Sequence, residues 1–217
     1  MTKQTGIMSS SIGRKLIMAV TGVFLCSFLV VHLAGNLLLF RDDGGVAFTA
    51  YARFMASNLL IRVLEIGLVG GFLFHIVDAA VLSKANRNAR PVRYATERPK
   101  GGGSWISRHM GITGSVIFLF LVVHLRTFFV EHRILGADAS LYDLIRAAFA
   151  NPLYVGLYVT AMVLLAFHLY HGFHSAFCTL GVTRRRYTTL ITAFGVLFSI
   201  GVPAGFASIP LYFYFVR

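Results

Sequence analysis

Five stretches of the chain, at about 14–40, 59–83, 105–131, 152–180 and 190–215, are apolar over the roughly 20 residues that a bilayer core demands of a helix. In hydrocarbon, every backbone N–H and C=O must be satisfied within its own segment, so each stretch reads as a membrane-spanning helix. The balance of residues agrees, with 57% hydrophobic and 13% charged, against about a quarter charged in soluble domains. The expected fold is therefore all-α, one transmembrane domain over residues 1–217 with five spans. The first stretch is too long for a signal-peptide core. "LAGNLLLF" continues it as helix without a small-residue cleavage site, so it reads as the first span.

The net charge of +12 raises the question of nucleic acid, and the placement of the charges answers it. One end of the spans carries Lys3, Arg14 and Lys15, then Lys84, Arg87, Arg90, Arg93, Arg98, Lys100 and Arg108, then Arg184, Arg185 and Arg186. The other carries Arg41, Arg53, Arg62, Arg126, Arg133, Arg146 and Arg217, mixed with most of the acids. Such segregation is the positive-inside pattern of a membrane protein. It puts the N-terminus and the 84–108 loop in the cytoplasm, gives no reason to expect nucleic acid, and with five spans places the C-terminus outside.

Local signals refine the elements. Asn151-Pro152 suits a helix start, and Gly201 with Pro203 predicts a kink in the fifth span. "VGGF" in the second span would let a neighbour approach closely. In the outer loop, "SLYDLIRAAF" has Ser140 three residues before Asp143, a capping-box spacing that predicts a short surface helix.

The first four spans each carry one deep histidine: His32, His75, His124 and His168. Ionisable side chains at membrane depth are uncommon and face the bundle interior. With the first and third helices running outward, His32 and His124 lie about 8 residues, or roughly 12 Å, from their outer ends. His75 lies about 8 residues and His168 about 12 from their inner ends. Depth alone thus sorts them into an outer pair, His32 with His124, and an inner pair, His75 with His168, roughly 15 Å apart. Two imidazoles facing across a bundle suit a haem iron with both axial positions filled. Zinc favours four ligands at one level. Cys26 and Cys178 lie in apolar runs, and no C-x-x-C or C-x-x-C-H occurs. A histidine proton relay remains a competing reading.

"VHLAGN" around His32, "FLFHIVDA" around His75, "SRHMGITGSVIFLFLVVHLRTFF" around His124 and "FHLYHGFHSAFCTLGVT" around His168 resemble the di-haem cytochrome b anchor of succinate:quinone oxidoreductases, the single-chain, five-helix type found in succinate dehydrogenase and fumarate reductase. "SSSIGRK" at the start of the first helix fits as well, and the resemblance runs in order along nearly the whole chain. It implies a multi-pass subunit of the bacterial cytoplasmic membrane whose first four helices hold two haem b groups. His75 and His168 would ligate the inner one, and His32 and His124 the outer. It further implies a flavoprotein subunit and an iron–sulfur subunit as partners, and a quinone (menaquinone or ubiquinone) as electron acceptor. The chain itself has neither a cluster-binding cysteine set nor a dinucleotide fingerprint.

Haem propionates call for cationic or hydrogen-bonding partners. Ser11, Arg14, Lys15, Arg108, His109 and His171 are available at the inner end and Arg126 at the outer end, although positive-inside charge accounts for most of these equally well. Glu65 is a candidate for proton exchange with quinone, or else a partner of Arg62 one turn earlier. Asp78 lies one turn inward of His75. Some fumarate reductases of this type carry a glutamate two residues before the last ligand, where this chain has Ala166. The departure favours succinate oxidation. The alternatives are an anchor of another quinone-linked dehydrogenase, of hydrogenase or formate dehydrogenase type, and a haem-free histidine-relay transporter. Within "AFHLYHGFHSAF", successive 100° steps keep His171 and His174 off the face of His168. One ligand, one propionate or water partner and one bystander are expected.

Overall fold

The computed structural model describes residues 10–88, 109–136, 139–182 and 188–217, and among them every regular element is helical. Helix α1 (Ser11–Asn36) continues into a 3-10 turn (Leu37–Phe40) and is followed by α2 (Val46–Ser57) and α3 (Leu59–Asn88). Helix α4 (Met110–His124) passes directly into a π-helix (Leu125–Ile134). Then come α5 (Leu141–Phe149), α6 (Pro152–Thr179) and α7 (Thr188–Phe215). Five segments are long and apolar enough to cross a membrane: Ile12–Phe40, Leu59–Asn88, Met110–Ile134, Pro152–Thr179 and Thr188–Phe215.

Helix starts are fixed by short polar side chains, which satisfy N–H groups that have no intrahelical partner. Ser10 Oγ accepts from the Gly13 N–H at 3.0 Å. Asn151 Oδ1 accepts from Leu153 N–H at 2.9 Å, and Pro152 opens the helix behind it. Ser140 Oγ accepts from Asp143 N–H at 3.2 Å and donates to the Asp143 carboxylate at 2.6 Å, so the short outer helix is α5. Helix α7 continues through both Pro203 and Pro210.

The helices pack unevenly. Helices α6 and α7 lie together along their length around Leu169, Phe173, Phe198 and Val202. Helix α1 packs on α3, α6 and α7, and α4 packs on α6, whereas α3 barely meets α4. Helix α3 has no fully buried residue and turns Leu59, Ile66 and Phe74 outward. Such a surface suits lipid, which solvates apolar side chains. Of the "VGGF" glycines, Gly71 serves the α1–α3 contact, since a β-carbon there would meet the Phe24 ring at 2.9 Å, whereas one on Gly70 would meet nothing within 4 Å among the described residues.

A cluster of buried residues collects at the end of the bundle away from the start of α1. Leu39, Phe48, Tyr142, Ile145, Phe149, Ile209 and Phe213 join the 3-10 turn, α2, α5 and the ends of α6 and α7 into one apolar cap. Helix α2 had no counterpart in the sequence reading. It starts behind Gly45, at φ 84°, where Asp43 accepts from the N–H groups of Gly45 at 2.9 Å and Ala47 at 3.0 Å. The Ala47 N–H above all, helped by those of Gly45 and Val46 and by the charge of Arg41, holds the Asp43 carboxyl below the usual carboxylate range. Arg217 closes the cap, donating to Asp42 at 2.6 Å and to the Tyr212 hydroxyl at 3.2 Å.

Candidate functional site

Four helices bring one histidine each to the bundle interior, and contact sorts them into two pairs. The rings of His32 (α1) and His124 (α4) lie 6.0 Å apart between centroids, at 89° to each other. Those of His75 (α3) and His168 (α6) lie 6.4 Å apart, at 69°. An imidazole nitrogen sits about 2 Å from a bound metal and its ring centre about 1 Å beyond, so two rings across one metal ion are roughly 6 Å apart. Both pairs have that spacing.

The second ring nitrogens are equally informative. His75 Nδ1 lies 3.2 Å from Thr21 Oγ1, whose own hydrogen goes to the Ile17 carbonyl at 2.8 Å. The threonine oxygen is therefore the acceptor, His75 Nδ1 carries the hydrogen, and Nε2 keeps its lone pair free for a metal. His124 Nδ1 lies 3.2 Å from the Tyr158 hydroxyl. His32 Nδ1 lies 3.4 Å from Asn36 Nδ2, which donates to the His32 carbonyl at 2.7 Å. His168 Nδ1 is buried without a hydrogen-bond partner among the described residues.

Two glycines stand beside the inner pair, and aromatic rings surround the outer one. A β-carbon on Gly22 would lie 3.7 Å from His75 Cε1, and one on Gly114 would lie 3.5 Å from His168 Cε1. Glycine at both places keeps the walls beside the inner pair low. Phe28 stacks on His32 at 5.1 Å, and Phe206, Phe120 and Phe128 close around the outer rings. Among the described residues, no three His, Cys, Asp or Glu side chains gather as a protein-only metal site would require. Two nitrogens per site, enclosed in apolar walls, are the donor set for a metal whose other positions a macrocycle fills. The residues present fit two bis-histidine haems.

Distances along the helices separate the levels. Thr21, beside His75, precedes His32 by 11 residues on α1, about 16 Å of helix. Gly114, beside His168, precedes His124 by 10 on α4, and Tyr158, beside His124, precedes His168 by 10 on α6, about 15 Å each.

The remaining candidates fall into place less uniformly. Arg14 is half-buried and Lys15 exposed in the first turn of α1, at the end of the bundle holding the inner pair. His109 stands before α4, where its carbonyl accepts from Thr113 N–H at 2.9 Å. Arg108 and the Ser11 side chain lie outside the described residues. Arg126 is 57% exposed and paired with Glu131 at 2.5 Å, a contact made by the π-helix, which stacks residues five apart. Glu65 pairs with Arg62 at 2.6 Å, the structural one of its two readings. Asp78 holds a buried carboxylate oxygen without a partner among the described residues. His171 and His174 line a groove between α6 and α7 with Thr192, and His174 Nδ1 also lies 3.7 Å from Cys178 Sγ.

Sequence reading missed Thr21, Asn36 and Tyr158. Asn36 was within reach, since it stands four residues after His32 on one helix face. The other two contact histidines one helix away or a full level distant in the chain, and nothing local marks them.

Comparison with known proteins finds the succinate dehydrogenase cytochrome b558 subunit of Bacillus subtilis (strain 168) 27% identical over 191 residues, covering 83% of this chain and 88% of the relative. No family model matches the chain, and no solved structure matches it significantly.

Proposed function

We propose that this chain is the membrane-anchoring cytochrome b subunit of a succinate dehydrogenase, a multi-pass protein of the bacterial cytoplasmic membrane with its N-terminus inside. The observation that carries the proposal is the spacing of the two histidine pairs, 6.0 and 6.4 Å between ring centroids, each drawn from two helices. The similarity to a succinate dehydrogenase cytochrome b558 subunit along most of both chains supports it. His75 and His168 are assigned to an inner haem b, and His32 and His124 to an outer one. When bound, haem b supplies reversible one-electron transfer.

The chain's own residues do the rest. Thr21 fixes the tautomer of His75, so that its Nε2 lone pair would be available to the haem iron. The aromatic side chains around His32 and His124 pack against both rings and line their surroundings with apolar surface. Levels about 15 Å apart bridge much of a hydrocarbon core of about 30 Å. Electrons would enter from an iron–sulfur partner, supplied in turn by a flavoprotein that oxidises succinate, and would leave to quinone. Glu65 is assigned to its pair with Arg62 rather than to proton exchange.

A reduced-minus-oxidised optical spectrum of the purified complex, with a haem count, tests the assignment. Two b haems per chain are expected, falling to one in His168→Ala. Retention of both haems in that variant would overturn it.

A further inference from the structure

Tyr158 meets His124 at Nδ1, the nitrogen that would be left over were Nε2 to hold a metal. Its ring is 6% exposed and wedged edge-on between Phe120, at 4.8 Å, and Phe149, at 5.0 Å. Tyr154 lies one turn earlier on α6, with its ring 6.2 Å from Tyr158 and at 24° to it. Tyr154 is itself anchored. Thr127 gives its hydrogen to the Val123 carbonyl at 2.9 Å, so the Tyr154 hydroxyl, 3.0 Å away, donates to the threonine oxygen. The rings of Phe120 and Phe149 hold the Tyr158 phenol on both sides, and its oxygen stands 3.2 Å from His124 Nδ1.

We infer that Tyr158 is a positioning residue for the outer haem, which accepts a hydrogen bond from His124 Nδ1–H and thereby sets the orientation and donor strength of that ligand. The inference rests on the ligation proposed above. Once Nε2 is committed to the metal, Nδ1 must carry the hydrogen, and the phenol oxygen is the acceptor. An acceptor at Nδ1 makes the imidazole a stronger donor, which favours the oxidised metal and lowers its reduction potential. In the inner pair the acceptor is an aliphatic hydroxyl, Thr21 on His75 Nδ1, and His168 Nδ1 has no partner among the described residues. The two sites thus share a ligand set and differ in what stands behind it.

Tyr158→Phe removes the oxygen and keeps the ring. Potentiometric titration of the intact complex should show both haems retained, with the outer haem, identified as the one lost in His32→Ala, shifted upward. Its reduced-to-oxidised ratio at a fixed potential should rise by up to about tenfold, which is 59 mV for one electron. The inner haem should not move. Tyr154→Phe, which disturbs the neighbour but not the contact to His124, should leave both potentials in place.

An unshifted outer haem in Tyr158→Phe, a common shift of both haems, or an equal shift in Tyr154→Phe would overturn the inference. Should Tyr158→Phe lose the outer haem, haemin titration decides. Uptake weakened by roughly 10–100-fold relative to Tyr154→Phe supports the role, and equal weakening in both refutes it. A wild-type complex without b haem would instead refute the proposed function itself.

Discussion

Small differences around single side chains separate the two histidine pairs. His75 is oriented by a threonine whose hydrogen is already spent on its own helix, so its tautomer follows from a hydroxyl 11 residues ahead of His32. Beside His168 the decisive feature is the missing side chain of Gly114, where a β-carbon would stand 3.5 Å from the ring. Gly114→Val adds an isopropyl group, a β-carbon and two methyls, in space that a flat cofactor beside the imidazole would need to occupy. The expected outcome is one haem per chain, the outer one retained, read from the optical haem count. The helix itself should persist, because exchanging glycine for valine does not lower helix propensity. Two haems in the variant would show that the inner cofactor does not use the space beside Gly114.

At the level of elements, what could be read in advance depended on whether the signal was local. Hydropathy revealed the five long helices because lipid imposes length and apolarity on each one separately. Ser140 and Pro152 marked helix starts because caps act within one turn. The π-helix after His124 was invisible, since its hydrogen-bond register leaves no trace in hydropathy. Helix α2 was missed for another reason: "DDGG" reads as loop, and only its contacts with Tyr142 and the outer cap show why a helix follows. That start has a pH dependence. Asp43 is held below the usual carboxylate value of about 3.9, so its anchoring of α2 is fully present above that value and is lost as pH falls through the depressed one. Amide protection in α2, taken relative to the intrinsic exchange rate at each pH, should therefore fall at acid pH in the wild type. In Asp43→Ala it should be low already at neutral pH, with no further loss on acidification. An α2 equally protected in both proteins would exclude the anchoring role. For the candidate site, one histidine per helix was legible from depth, while Tyr158 and Thr21 required the rotational setting of neighbouring helices.

On the scale of the whole molecule, the same helices serve both levels. Helix α1 holds His32 and Thr21, α4 holds His124 and Gly114, and α6 holds His168 and Tyr158. One residue inserted between the two members of such a set turns one against the other by about 100° and slides it by about 1.5 Å. A single alanine inserted after Leu164 should therefore leave the complex with at most one haem per chain, whereas an insertion in the outer segment next to Gly136 should leave both. Equal haem content in the two insertions would show that α6 tolerates a change of register. The consequence reaches into how such a chain can diverge over time. Between the histidines and their contact residues, positions along α1, α4 and α6 can be exchanged one for another, but the count between the two levels is not free to change. Insertions and deletions among descendants should gather in the connecting segments, and the spacings of 11, 10 and 10 residues should outlast most of the sequence around them.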